Sequence, residues 1–317
     1  AALTPTTCFT TPALPAATAR ATAVARLAPP LTVLLATDGA ARWQPNELAV
    51  LRRLALALCA NLALSDGAAD GSADDALEPL LPAAVAAATS SLHDGRRPDV
   101  REATLRLLAV LLAPRRAPRD ARRALGSAGV VHRLVTLLTS SDGATLAPPA
   151  GAAIGREVVE PQPLSTGEMQ DLLTALSQSC AGDDENRAVL GLHAGVDALL
   201  RLVSSPHGHS TVFLMSVECL WSACASSTAN MNRLVDAGGI ELLLDLLVGA
   251  ELPARALLLS SLADLLVHGP ARDAALAWRA ADGSATTAVP LLLSLWREEE
   301  ARLHGVAGTG ELESKTR

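Results

Sequence analysis

Residues 184–203 read DENRAVLGLHAGVDALLRLV, and residues 228–247 read TANMNRLVDAGGIELLLDLL. Each stretch has an asparagine near its start, a glycine in its middle and closely spaced leucines at its end. Asn186 aligns with Asn230 at an offset of 44 residues, and the central glycines align at the same offset. The leucine spacing predicts a short helix, a glycine turn and a second helix with one buried face.

The repeat extends on both sides of these stretches. In the preceding apolar segments, Leu176 aligns with Leu220 at the same offset of 44 residues. A third copy, RDARRALGSAGVVHRLVTLL, covers residues 119–138, and the Pro- and Gly-rich stretch 143–166 separates it from the second. Each unit therefore reads as three helices whose apolar face a neighbouring unit must bury. We interpret residues 143–166 as a surface insertion loop.

Looser copies extend the pattern over most of the chain and set the predicted domain bounds. Leu31–Ala36 and Glu47–Leu64 look like the second and third helices of a further unit, which gives about five to six units in all. The predicted organisation is an irregular Pro- and Thr-rich lead-in over 1–26, a solenoid over 27–304 with loop insertions near 66–75 and 143–166, and a flexible tail over 305–317.

Composition limits the fold and the compartment. Of the 317 residues, 50% are hydrophobic but only 2% are aromatic, so Leu and Ala supply the bulk and favour helices over strands. A net charge of −7 argues against a dedicated nucleic-acid-binding protein. The five cysteines form no CxxC pair, which fits a reducing intracellular compartment, and we expect no membrane-spanning run. Residues 1–37 contain no acidic residue and resemble an organellar transit peptide. The alternative is an irregular Pro- and Thr-rich lead-in within a longer protein.

These residues resemble the armadillo family. The shared features are the repeat length, the short first helix and the turn Asp236-Ala237-Gly238-Gly239-Ile240 before two longer helices. The resemblance implies an all-α, armadillo/HEAT-like, right-handed α-solenoid. Armadillo proteins that hold extended peptides use asparagines on successive third helices, with tryptophans between them. Here Asn61 and Trp221 occupy such helices in separate repeats, so that ladder is missing, and Trp221 either lines the groove or fills the core.

The last repeats resemble a narrower group. Residues 274–306, AALAWRAADGSATTAVPLLLSLWREEEARLHGV, are similar to the armadillo region of the cilia- and flagella-associated protein 69 family. That family belongs to the central apparatus of motile cilia. The resemblance implies a place in the cytoplasm, within the cytoskeleton of the ciliary or flagellar axoneme, as part of a large hetero-complex with axonemal scaffold proteins. We expect Leu295 and Trp296 to contribute to the partner interface.

No catalytic or metal-binding pattern stands out. The chain contains no GxSxG, no GxxxxGK[ST] and no HExxH. Cys219 and Cys224 lie five residues apart, which separates them by about 140° on a helix and prevents both from reaching one ion. We therefore expect a non-catalytic protein without cofactor or metal. The alternative to a ciliary scaffold is a soluble cytosolic adaptor that binds extended peptides.

A basic segment runs through this acidic chain. Residues 96–123 contain nine arginines and three acidic residues, a net charge of +6. One interpretation is an ordinary solvated surface in which Arg replaces Lys. The functional interpretation is a docking patch for an acidic partner, such as a tubulin tail or another scaffold protein. Its candidate residues are Arg115, Arg116, Arg119, Arg122 and Arg123.

Overall fold

The computed structural model describes residues 16–36, 45–64, 78–92, 97–113, 120–141, 163–205, 211–281 and 286–304. Within these ranges the chain is helical, and its only extended pairing is an isolated antiparallel bridge between Arg279 and Thr287. None of the described helices combines the length and apolar character needed to cross a membrane. This is the all-α architecture predicted from the repeat.

The chain divides into two compact units, residues 1–179 and 180–317. The first unit contains α1 (Ala16–Ala36), α2 (Pro45–Leu64), α3 (Leu81–Ser91), α4 (Pro98–Leu111), α5 (Ala121–Ser127), α6 (Val130–Ser141) and α7 (Thr166–Cys180), whose last residue falls at the boundary. Here α1 packs on α3, α3 on α6, and α2 on α4. The helices α1, α3 and α6 are the second helices of successive repeats and form one row. The third helices α2 and α4 form another.

Among the described residues, the second unit has two three-helix repeats followed by two further helices. It contains α8 (Asp184–Leu192), α9 (Gly195–Ser204), α10 (Thr211–Cys224), α11 (Thr228–Asp236), α12 (Gly239–Val248), α13 (Ala254–Leu265), α14 (Gly269–Ala277) and α15 (Ala288–His304). The first helices α8, α11 and α14 pack in sequence, and the third helices α10 and α13 pack together. The repeat predicted at 44 residues thus places equivalent helices side by side.

Local sequence explains where the first helices start and stop. The Asp183 carboxylate accepts a hydrogen bond from the Asn186 N–H at 2.9 Å, and the Ser227 hydroxyl accepts one from the Asn230 N–H at 3.4 Å. Each cap satisfies one of the free amides at a helix start. Gly238 follows α11 with a φ of 71°, in the left-handed region that glycine tolerates best.

The repeat register places the aligned leucines in the core. Leu176 and Leu220, aligned at 44 residues, are 0% and 1% exposed. Leu200 and Leu244, aligned in the same way, are 7% and 0% exposed. Because leucines at equivalent positions are buried in both repeats, the register derived from the sequence is correct here.

One predicted boundary, the end of the irregular lead-in, is wrong. Residues 16–26, expected to be irregular, form the first part of α1. The stretch is rich in Ala, the strongest helix former, and Val24 and Ala28 begin a buried stripe. Near the predicted end of the insertion loop, α7 begins at Thr166 and is capped by Ser165. Residues 1–15, 65–77, 142–162 and 305–317, which include the rest of the predicted lead-in, loops and tail, lie outside the described residues.

A buried asparagine joins two successive repeats of the second unit. The Asn230 side-chain amide donates to the Arg187 carbonyl at 2.8 Å and to the Ala223 carbonyl at 2.9 Å. Asn230 is completely buried. It lies against Gly191 so closely that a Cβ on Gly191 would come within 1.8 Å of the Asn230 Oδ1 atom. The repeated asparagine at this position is therefore a structural element between repeats.

Replacing Asn230 by Ala is expected to destabilise the chain by about 1–3 kcal/mol, since two buried carbonyls lose their donors. Urea denaturation followed by circular dichroism measures this change. The matched control is Asn232→Ala on the exposed side of the same helix, where we expect a change within about 0.5 kcal/mol. Equal losses in the two variants would show that Asn230 acts only through helix propensity.

Candidate protein-binding surfaces

The third helices of the first unit border a cavity of about 480 Å³. On α4, Asp99, Glu102 and Arg106 line it at a spacing that places them on one helical face. Alanines on α2 and α4 leave the space open because their side chains end at Cβ. The full lining is Arg53, Ala57 and Ala60 from α2, Asp99, Glu102, Ala103 and Arg106 from α4, and Asp171 from α7.

One wall of this cavity is an ion pair. Arg106 Nη1 lies 3.2 Å from Asp171 Oδ1, with the Arg106 side chain 58% exposed and that of Asp171 16% exposed. Burial raises the pKa of the Asp171 carboxyl, and the Arg106 hydrogen bond and charge only partly oppose that rise. Additional positive charge nearby would therefore stabilise the ionised form of the Asp171 carboxyl.

A second ion pair holds α7 against α4. Arg101 Nε donates to Glu168 Oε1 at 2.7 Å and Arg101 Nη2 to Oε2 at 3.3 Å, with both side chains almost completely buried. Glu168 also forms a capping box, in which its Oε2 accepts from the Ser165 N–H at 2.8 Å and the Ser165 hydroxyl accepts from the Glu168 N–H at 3.2 Å. Burial raises the pKa of Glu168, but the Arg101 and Ser165 interactions outweigh it and hold the pKa below its usual value.

In the second unit, a tryptophan joins two neighbouring third helices. The Trp221 indole N–H on α10 donates to Asp264 Oδ2 on α13 at 3.0 Å. Trp221 is half-buried, so part of its ring faces solvent, and the exposed Glu218 lies three residues earlier on the same helical face. The hydrogen bond orients the ring between the two helices, and groove lining by Trp221 stays a prediction.

The residues predicted on α15 have opposite environments. Trp296 is 58% exposed, whereas Leu295 is only 5% exposed. Leu295 continues the buried spacing set by Ala288 and Leu291, so it anchors α15 and is not available to a partner at this surface. The expectation that Leu295 contributes directly to an interface is therefore wrong.

The arginine cluster is only partly described. Arg115, Arg116 and Arg119 lie outside the described residues. Arg122 is half-buried, and its Nε donates to the Gln178 carbonyl at 2.7 Å near the end of α7. Arg123 is exposed. Arg122 therefore stabilises a helix terminus, which separates it from the other candidates.

The described cysteines are structural. Cys59, Cys180, Cys219 and Cys224 are free and buried. Burial raises the pKa of Cys180 and Cys224 to about 12, so these thiols stay protonated and unreactive near neutral pH. Among the described residues, no three His, Cys, Asp or Glu side chains are placed to hold a metal ion.

A comparison with known protein families shows to which family the chain is related. The model described as "Cilia- and flagella-associated protein 69, ARM repeat" matches residues 95–309, more than half of the chain. The chain belongs to this family. No curated protein gives a significant match to the sequence.

Solved structures support the armadillo fold of this family member. A computationally designed armadillo repeat protein for modular peptide recognition is similar, with a TM-score of 0.59 and 16% identity over 85% of this chain and 92% of its own. A second designed armadillo protein, in complex with the peptide (KR)4, has a TM-score of 0.57 and 16% identity over 84% of this chain and 90% of its own. At this identity the similarity establishes the fold alone.

The cavity of the first unit was missed by the sequence interpretation. Its α4 residues show a readable signal, because Asp99, Glu102, Ala103 and Arg106 follow the spacing of one helical face. Local sequence cannot predict that this face lies beside Arg53 on α2 and Asp171 on α7. That arrangement depends on which third helices pack together.

Proposed function

We propose that this chain is a non-catalytic scaffold that binds other proteins within the central apparatus of motile cilia or flagella. The observation that carries the proposal is the family match over residues 95–309. The exposed side chains of the third helices and of Trp296 supply surfaces for several partners at once. Such a scaffold resides in the cytoplasm, attached to the microtubule cytoskeleton of the axoneme, inside a large hetero-complex.

The test is fractionation of motile cilia from cells that express the full-length tagged protein. We expect the tag to stay with the detergent-extracted axoneme and to leave it together with central-pair proteins, as identified by mass spectrometry. Cilia lacking the central pair provide the control, and there the tag should be lost. Retention in such cilia, or absence of the tag from cilia, would contradict the proposal.

A second candidate function is a soluble adaptor that binds extended peptides reversibly. The observation that favours it is Trp221, held by Asp264 on the face formed by neighbouring third helices. A designed armadillo protein of similar fold is described in complex with the peptide (KR)4. The same fractionation separates the two functions, because an adaptor would appear in the detergent-soluble fraction of the cell body.

The arginine cluster is the proposed contact to an acidic neighbour, such as another axonemal scaffold protein or tubulin. Replacing Arg115, Arg116, Arg119 and Arg123 by Ser should release the protein from axonemes at lower salt, since electrostatic docking weakens as the Debye length falls from about 10 Å at 0.1 M to about 3 Å at 1 M. Arg122 is left in place because it binds the Gln178 carbonyl. Unchanged salt extraction would assign the cluster to solvated surface.

A further inference from the structure

The cavity in the first unit is large enough to receive a side chain. It measures about 480 Å³ and opens between α2, α4 and α7. Ala57, Ala60 and Ala103 leave the space that longer side chains would fill. Its remaining lining is charged, so a purely apolar side chain would desolvate those charges without replacing their contacts with water.

The charges of the cavity are not balanced. Arg106 is paired with Asp171. Within the described ranges, Asp99 and Glu102 form no ion pair, and neither does Arg53 across the cavity. Three carboxylates therefore face two guanidinium groups, and one additional positive charge would bring the cavity to neutrality.

An apolar strip runs beside the cavity on α2. Val50, Leu54 and Leu58, four residues apart, are 47%, 57% and 39% exposed. We call these three residues the α2 strip. Arg53 and Ala57 lie next to the strip on the same helix and also line the cavity, so strip and cavity form one continuous surface. The exposed Asn61, one turn after Leu58, carries an amide that can bond a peptide backbone.

We propose that this surface binds a partner segment through one basic side chain, Arg or Lys, placed in the cavity between Asp99 and Glu102, with a neighbouring apolar side chain on the α2 strip. This inference rests on the proposed function and specifies the chemistry of one partner. It differs from the arginine cluster, which attracts acidic partners. The protein would thus contact two classes of neighbour through two different surfaces.

The test measures binding of three labelled probe peptides to the whole chain by fluorescence anisotropy. The peptides repeat Ala-Leu-Arg-Ser, Ala-Leu-Gln-Ser or Ala-Leu-Glu-Ser. We expect the arginine peptide to bind best, the glutamate peptide worst, and the difference to shrink as salt rises from about 0.05 M to about 0.5 M. Equal binding of the arginine and glutamine peptides would overturn the inference.

Two substitutions with opposite expected effects locate the site. Glu102→Gln removes a cavity carboxylate and should weaken the arginine peptide about fivefold, whereas Arg53→Gln removes a repelling cation and should strengthen it by a similar factor. The control is Glu251→Gln, which makes the same charge change at an exposed position before α13. It should leave the affinity unchanged.

The outcomes separate this inference from the proposed function. If the arginine peptide binds but Glu102→Gln and Arg53→Gln behave like Glu251→Gln, basic segments bind elsewhere and the cavity assignment is overturned. The scaffold proposal then stands or falls by axoneme fractionation alone. Opposite shifts in the two cavity variants, with unchanged melting curves, would support the assignment.

Discussion

Replacing Glu168 by Ala should lower the free energy of unfolding by about 3–5 kcal/mol, because the buried Arg101 guanidinium would lose its counter-charge. The two side chains are 3% and 5% exposed, so water cannot replace the lost contact. The substitution also removes one half of the capping box with Ser165. Urea denaturation of the whole chain, followed by circular dichroism, measures the change.

The matched control is the exposed ion pair between the same two helices. Arg106→Ala breaks the contact to Asp171, but the Arg106 side chain is 58% exposed, so we expect a loss below about 1 kcal/mol. A double variant, Arg101→Met with Glu168→Leu, leaves no unpaired buried charge and should recover much of the stability. Similar losses for Glu168→Ala and Arg106→Ala would show that burial does not make the Glu168 ion pair more important for stability than the exposed pair.

The same pair predicts a pH dependence. The pKa of Glu168 is lowered from its ordinary value of 4.5 in the folded chain. Its contribution to stability is therefore complete above that ordinary value and is lost as the pH falls through the lowered, folded-state pKa. Acid titration of stability should accordingly differ between the wild-type chain and Glu168→Gln below the ordinary pKa of Glu.

The second large effect is expected at the aligned core leucines. Leu220→Ala and Leu244→Ala should each destabilise the chain by about 2–5 kcal/mol through lost burial and the remaining cavity. Both residues are at most 1% exposed. Leu192→Ala is the control, because Leu192 is 70% exposed and its truncation should change stability by less than about 0.5 kcal/mol. If Leu192→Ala costs as much as the core changes, the repeat register is wrong.

Periodicity explains which parts of the fold were predictable. The offset between Leu200 and Leu244 is a property of the sequence, and burial of both follows from helical spacing. The capping box at Ser165 and Glu168 follows the Ser-x-x-Glu pattern, which is readable in the sequence at the end of the predicted loop. Arg101, the ion-pair partner of Glu168, could not be predicted, since 67 residues separate the two and only tertiary packing joins them.

The candidate surfaces were less predictable for the same reason. Trp221 stands out in the sequence, but its hydrogen bond to Asp264 requires two third helices to lie side by side. Leu295 and Trp296 are adjacent in sequence and differ in exposure because neighbouring positions on a helix point about 100° apart. Arg122 looked like its neighbours, yet the Gln178 carbonyl gives it a different role.

The close fit of Gly191 to Asn230 restricts which repeat can precede the repeat that contains Asn230. A Cβ at Gly191 would approach the Asn230 Oδ1 atom to 1.8 Å, so a larger residue there would force the buried Asn230 side chain to shift. The position aligned with Gly191 in the next repeat is Val235. A tandem copy of the α11–α13 repeat would set Asn230 against that valine. Lengthening the array by copying this repeat would therefore require the Asn230 side chain to shift or a substitution at one of the two positions.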